Sequence, residues 1–279
     1  MGHTTLLPDN LQHFEPEINE ETINNKSLAF AFIGAKLLLL KGGIPRYCSI
    51  EELKFNPSYT KFIGRINNIK CFALDLNQEE EYIPQEELAG LRQLYSLLPE
   101  HYIKAAIYAF QLILWNRKTK YCGSCGSLTE EHLPKVLVKH CPKCQSEFYP
   151  KISPSVIVAV IKDDEILMAQ HQRVTNGMYT ILAGFVNPGE SLEECIHREI
   201  KEETGIAVRN IKYFGSQPWP FPDSLMIGFM ADFESGILKP DQEEISDLKW
   251  FKASEIPEWP DKVSIARSLI DSFINNHQQ

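Results

Sequence analysis

The span from Gly184 to Ile206 constrains this chain more than any other, because it specifies one helix from cap to stop and loads one face of it with charge. Pro188-Gly189 makes a turn, Ser191 with Glu194 forms a capping box, and Gly205 before Ile206 supplies a stop, which predicts a helix over Ser191–Thr204. Leu192, Cys195, Ile196 and Ile200 fall on one stripe, the one to be buried. On another face Glu199, Glu202 and Glu203 stand at i, i+3 and i+4, so three carboxylates converge within one turn. They repel one another and also face the negative end of the helix dipole. A hard divalent cation with oxygen ligands, Mg²⁺ or Mn²⁺, relieves both penalties. The competing reading of such a Glu-Glu pair is a solvated acidic face.

The cysteines give a second constraint. Cys122-Gly-Ser-Cys125, fifteen intervening residues and Cys141-Pro-Lys-Cys144 have the spacing of a tetrahedral four-cysteine zinc site. Gly123, Gly126 and Pro142 are turn residues that let the thiolates converge. Four thiolates leave zinc no open position for substrate, so the expected role is structural. Lys135, Lys139, His140, Lys143 and Lys151 make the segment locally basic, which keeps a nucleic-acid-contacting ribbon open as an alternative. Three further cysteines, Cys48, Cys71 and Cys195, are scattered, and this count suits a reducing compartment better than a disulfide framework.

At 279 residues the chain exceeds one comfortable domain. Residues 1–26 are polar and acidic and are expected to form an irregular surface lead-in. Strands are expected at Ala29–Ile33, Lys36–Leu40, Lys61–Ile63 and Lys70–Leu76, followed by helices at Glu86–Leu98 and Glu100–Trp115. The predicted division is a mixed α+β N-terminal domain over 1–116, the zinc ribbon over 117–152 and an α/β domain over 153–279. In the last, Val156–Ile161 and Ile166–Ala169 form a hairpin buried on both faces, with strands near Ile206–Phe214 and Leu225–Phe233 and a final helix at Lys262–Ile274. An α/β/α sandwich is the expected result.

A formal net charge of −9 argues against a protein whose main task is gripping a phosphate backbone, which needs Lys and Arg. The most apolar stretch, Leu28–Leu40, contains Lys36 and falls short of the roughly 20 residues of a membrane span. The first residues do not read as a secretory signal and the last are no peroxisomal tripeptide, so a cytoplasmic protein is expected.

Gly184–Ile206 matches Gly-x5-Glu-x7-Arg-Glu-(aliphatic)-x-Glu-Glu-x-Gly-(aliphatic) at every specified position, and so resembles the box of the Nudix hydrolases. Downstream, Ser216-Gln217-Pro218-Trp219-Pro220-Phe221-Pro222-Asp223-Ser224 is an extended run that reads either as a loop staple, as a ligand for a proline-binding domain, or as a stacking surface. After such a box it resembles the motif of the NADH pyrophosphatases, whose zinc ribbon and N-terminal domain this chain also shares.

That resemblance implies metal-dependent hydrolysis of NADH, and less efficiently NAD⁺, to a nicotinamide mononucleotide plus AMP; some relatives remove NAD caps from RNA. It makes Glu199 and Glu203 metal ligands, with the Ala183 carbonyl and a late glutamate, Glu244, beside which Glu243 is the competing assignment. It sets Glu202 next to them, has Arg198 and Glu190 orient the group, and gives Glu203 a part in deprotonating water. Tyr149 and Phe185 resemble the aromatic pair around the nicotinamide, Lys41 and Arg92 the basic residues facing phosphate or substrate, and Ala266 a substrate-lining position. The segment Gln217–Ser224 would select the substrate. The family usually forms homodimers. A non-catalytic sensor is disfavoured, since the box keeps all its carboxylates.

Overall fold

The computed structural model describes residues 13–17, 19–52, 54–76, 87–131, 137–172, 177–257 and 263–277. They fall into two compact units, Met1–Lys151 and Ile152–Gln279. Among the described residues no helix is long and apolar enough to cross a membrane.

The first unit is built on β1 (Phe14–Pro16), β2 (Leu28–Ile33), β3 (Lys36–Leu38), β4 (Tyr59–Ile66), β5 (Ile69–Leu76) and β6 (Leu88–Gly90), with α1 (Tyr47–Glu52), α2 (Leu91–Leu97) and α3 (Glu100–Lys118). The sheet order is β1-β4-β5-β2-β3-β6. Strand β2 reads Leu-Ala-Phe-Ala-Phe because both its faces are covered. Phe32 meets Phe110 of α3 with ring centres 5.3 Å apart, while Ala29 and Ala31 join Ile50, Phe62 and Phe72 in a separate core cluster. Arg117, near the end of α3, closes the unit by donating to both carboxylate oxygens of Asp75 and to the Gly34 carbonyl.

Two expectations are corrected here. The acidic lead-in is not wholly irregular, because Phe14–Pro16 pairs with β4, and Glu17 and Glu21 hold Arg65 and Lys70 at 2.9 and 2.5 Å; residues 1–12 and 18 lie outside the described residues. The helix expected over 86–98 begins only at Leu91, and residue 86 is likewise outside them. Leu88-Ala89-Gly90 instead pairs with the open edge of β3, where the backbone gains ladder bonds that a first helical turn leaves unmade.

The ribbon, within this same unit, is a small antiparallel sheet of β7 (Glu130–Glu131), β8 (Lys139–His140) and β9 (Glu147–Phe148).

The second unit contains β10 (Ser153–Lys162), β11 (Glu165–His171), β12 (Tyr179–Thr180), β13 (Leu182–Phe185), α4 (Leu192–Thr204), β14 (Ile206–Trp219), β15 (Ser224–Gly236), β16 (Ile245–Lys252) and α5 (Ile265–His277). The sheet runs β12-β11-β10-β15-β14, with β13 also on β10 and β16 also on β11; only β10–β15 is parallel. Alternate residues of β10 enter two different cores. Val156, Val158 and Val160 pack with Cys195, Ile196 and Ile200 of α4, whereas Ile157 and Ala159 pack with Ile265, Ala266, Leu269 and Phe273 of α5. One continuous β-branched run thus serves a helix on each face, which is the expected α/β/α sandwich. The start predicted for the last helix, residue 262, lies outside the described residues.

Candidate active site

Helix α4 is fixed at both ends by its own sequence. The Glu194 N–H donates to Ser191 Oγ at 3.2 Å and the Ser191 N–H to Glu194 Oε2 at 2.8 Å. Gly205 takes the left-handed conformation (φ 77°) and returns its N–H to the Lys201 carbonyl. Burying Cys195, Ile196 and Ile200 then decides where the charged face points.

Arg198 is the hub of that face. It donates bidentately to Glu190 at 2.7 and 2.9 Å, reaches Glu199 at 2.9 Å and Glu202 at 3.0 Å, and donates to the Phe185 carbonyl at 3.0 Å. The fork geometry of the guanidinium makes this possible. The Arg198 hydrogen bonds hold the Glu190 carboxyl down at about 2, with help from the Asn187 N–H.

Glu199 lies flat against β13. A Cβ at Gly184 would stand 2.0 Å from the Glu199 Cδ, so the first glycine of the span is required for the carboxylate to sit there. Burial, the largest influence, raises the Glu199 pKa against the pull of Arg198. Ala183 immediately precedes this contact on β13.

Glu203 is the most unusual group. Its residue is only 4% exposed, and its Oε2 has no hydrogen-bond partner among the described residues. Burial, then the charges of Glu199, Glu244, Asp241 and Glu202, push its carboxyl up to about 8. A buried carboxylate oxygen with no donor, facing several other carboxylates, fits a hard divalent cation. Of the two adjacent glutamates, Glu244 is among the charges that raise the Glu203 pKa. Asp241 was not anticipated; the only sequence signal was an Asp three residues ahead of a Glu.

The proline-rich segment is a hairpin end, not a free loop. Gln217, Pro218 and Trp219 pair with Met226, Leu225 and Ser224. The Gln217 amide clamps the start of α5, donating to the Val263 carbonyl at 2.8 Å and accepting from the Ile265 N–H at 2.7 Å. This places the residue beside Ala266, which is buried in the α5 core. Asp223 and Ser224 are buried, and Asp223 accepts from the Ser153 hydroxyl at 2.7 Å. Pro220 is buried and Pro222 exposed. Trp219 and Phe221 meet edge to face at 5.1 Å and stay partly accessible. Phe185 is 55% exposed.

In the first unit, Lys41 occupies an exposed turn between Leu40 and Gly43, Arg92 is exposed on α2, and Tyr149 is 59% exposed with its hydroxyl on Glu147 at 2.8 Å. The four cysteine sulfurs all lie within 4.8 Å of one another, with Cys122–Cys144 and Cys125–Cys141 each at 3.4 Å. Tetrahedral zinc–thiolate bonds of about 2.3 Å imply sulfur separations near ~3.8 Å, so the cluster fits zinc. Both halves share one turn: the Gly126 N–H returns to Cys122 and the Gln145 N–H to Cys141, each at 2.9 Å. The basic face expected on the ribbon is smaller than the sequence implied. Lys139 is only 6% exposed, with its ammonium on the Asn116 carbonyl and over the Trp115 ring; residue 135 lies outside the described residues.

Fold and carboxylate constellation together define a Nudix hydrolase, an enzyme class that needs a divalent metal. Residues 151–273 match the NUDIX domain and residues 26–115 the NADH pyrophosphatase-like rudimentary NUDIX domain. A NAD-capped RNA hydrolase NudC from Photobacterium profundum is 41% identical over 261 residues, covering 90% of this chain and 93% of that protein. The proteins of that name from Vibrio cholerae (41% identical; 86% and 87% covered) and Pseudomonas aeruginosa (46%; 76% and 76%) are similar. This chain belongs to that family, the NADH pyrophosphatase-type Nudix hydrolases.

Proposed function

We propose that the protein hydrolyses the diphosphate bond of NADH and NAD⁺, giving nicotinamide mononucleotide and AMP, and acts on the same linkage where NAD caps RNA. The observation that carries the chemistry is the buried Glu203 carboxyl, with one oxygen unpartnered among the described residues and with the charges of Glu199, Glu244, Asp241 and Glu202 acting on it. The substrate reading is supported by relatives that cover 76% to 90% of the chain and are named for NAD-capped RNA.

In this reading Glu199, Glu203, Glu244 and the Ala183 carbonyl hold Mg²⁺ or Mn²⁺. Once bound there, such an ion would supply charge to neutralise the diphosphate and to acidify the attacking water. Arg198, gripped by Glu190, keeps Glu199 and Glu202 in register. Glu203 receives the proton of the attacking water. Phe185, Trp219 and Phe221 are the aromatic surfaces for the bases, and Gln217 and the residues through Ser224 shape that wall beside Ala266; Tyr149, Lys41 and Arg92 take only the substrate-facing roles that the family resemblance implies. The four cysteines hold zinc as a structural ion. The division at 116 and 152, a homodimer and a cytoplasmic location complete the proposal; thiolate zinc ligands suit a reducing compartment, and solution mass tests the dimer.

Turnover of NADH, NAD⁺, ADP-ribose and NAD-capped RNA, each with Mg²⁺ and with Mn²⁺, tests the substrate. NAD-containing substrates should be cleaved at the diphosphate ahead of ADP-ribose; a preference for ADP-ribose would overturn the assignment.

A further inference from the structure

Between the end of β15 and the start of β16 the chain carries two adjacent glutamates, Glu243 and Glu244. Something must decide which of them serves the metal centre. Oδ1 of Asp241 accepts three consecutive backbone N–H groups, from Glu243 at 3.0 Å, Glu244 at 3.1 Å and Ile245 at 2.9 Å. The same turn is tied from its other side to the end of β11. The Gln172 N–H donates to the Glu244 carbonyl at 2.8 Å, the Gln172 side chain to the Gln242 carbonyl at 2.9 Å, and the Ser246 hydroxyl to the Gln170 carbonyl at 3.0 Å. Both peptide groups of Glu244 are therefore fixed, its N–H by Asp241 and its C=O by Gln172.

We propose that Asp241 is a positioning residue for the metal centre: by collecting the three N–H groups it locks the backbone so that Glu244, and not Glu243, is delivered to Glu203. The inference rests on the reading of Glu244 as a metal ligand. A carboxylate that takes three amide donors forms a rigid local turn, and a ligand carried on a rigid backbone loses little freedom on binding an ion. Without Asp241 the three N–H groups turn to water and the carboxylate of Glu244 samples many positions. Such supporting contacts around a metal ligand are worth ~10- to 100-fold in metal affinity. Asp241 is also among the charges that raise the Glu203 pKa, so the residue adds to the negative field as well as holding the turn.

The test is Mn²⁺ binding to the full-length, zinc-loaded protein, followed by the electron paramagnetic resonance of free Mn²⁺, with Asp241→Ala, Asp241→Asn, Glu243→Ala and Glu244→Gln. Asp241→Ala should weaken Mn²⁺ binding ~10-fold or more. Its melting temperature without Mn²⁺ should fall modestly with the loss of the acceptor for three amides, leaving the protein folded at the temperature of the binding assay. The Mn²⁺ concentration for half-maximal NADH cleavage should rise in step, while KM for NADH at saturating Mn²⁺ stays unchanged. Asp241→Asn, which keeps the acceptor oxygen, should recover most of the affinity, and Glu243→Ala should bind as wild type. Wild-type affinity in Asp241→Ala alongside weakened Glu244→Gln overturns the positioning role and leaves the ligand reading intact. Wild-type affinity in Glu244→Gln removes the ligand reading itself. If Asp241→Ala fails to fold, Asp241→Ser decides, because one hydroxyl cannot hold three amides; unchanged Mn²⁺ affinity there overturns the proposal.

Discussion

At the scale of single residues, Glu203 couples stability and chemistry with opposite signs. Its carboxyl is raised from an ordinary value of 4.5 to about 8, chiefly by burial. A folded-state pKa above the unfolded one means that the folded protein binds the extra proton, so this contribution to stability is full below the ordinary value and is lost as pH rises through about 8. Metal-free protein should accordingly lose stability between those limits. Glu203→Gln should flatten that slope and be as stable as wild type or more so at the alkaline end, while NADH hydrolysis falls at least ~10²-fold. Thermal melts against pH, without divalent metal, together with turnover under Mg²⁺ check both halves. A variant that unfolds, or one that keeps activity within a few-fold, removes Glu203 from the mechanism. The ion pairing of Arg198 with Glu190 was readable from the sequence by resemblance. The reason for Gly184 was not, because the collision of its missing Cβ with Glu199 exists only once β13 and α4 are side by side.

At the scale of elements, the β14–β15 hairpin separates two functions that the sequence motif runs together. Gln217 and Asp223 bind the protein's own backbone or side chains and Ser224 is buried, whereas Trp219 and Phe221 stay partly accessible and are the rings proposed to meet the substrate. Trp219→Ala should therefore raise KM for NADH more than for a diphosphate substrate lacking nicotinamide; equal changes in both would mean that the ring only holds the hairpin. Gln217→Ala is expected to lower the melting temperature and to raise hydrogen exchange at the first turn of α5, because the Val263 carbonyl and Ile265 N–H lose their partner; a protected α5 start in that variant would show the clamp to be dispensable. The hairpin's extended end was legible in the alternating prolines. Its pairing partner was not, since extended proline-rich chain looks the same whether or not another strand lies beside it.

At the scale of the whole molecule, the zinc ribbon should act as a staple for the first unit. Cys122→Ser should release about one equivalent of zinc and lower the melting temperature, whereas retained stability with lost turnover would give the ion a catalytic role. What the sequence determined by itself is what short-range physics enforces: the capped helix α4, the two cysteine turns and the β10–β11 hairpin, each written in residues a few positions apart. Only the tertiary structure decided the rest. Leu88–Gly90 became a strand because β3 offered an open edge, Lys139 turned inward onto Trp115, and Asp241 came to cap a turn tied to the end of β11. The partners in such contacts are far apart in the chain, 48 residues for Gln217 with Ile265 and 76 for Ser246 with Gln170. No local periodicity records them, because they arise only when the sheet brings distant edges to hydrogen-bonding distance.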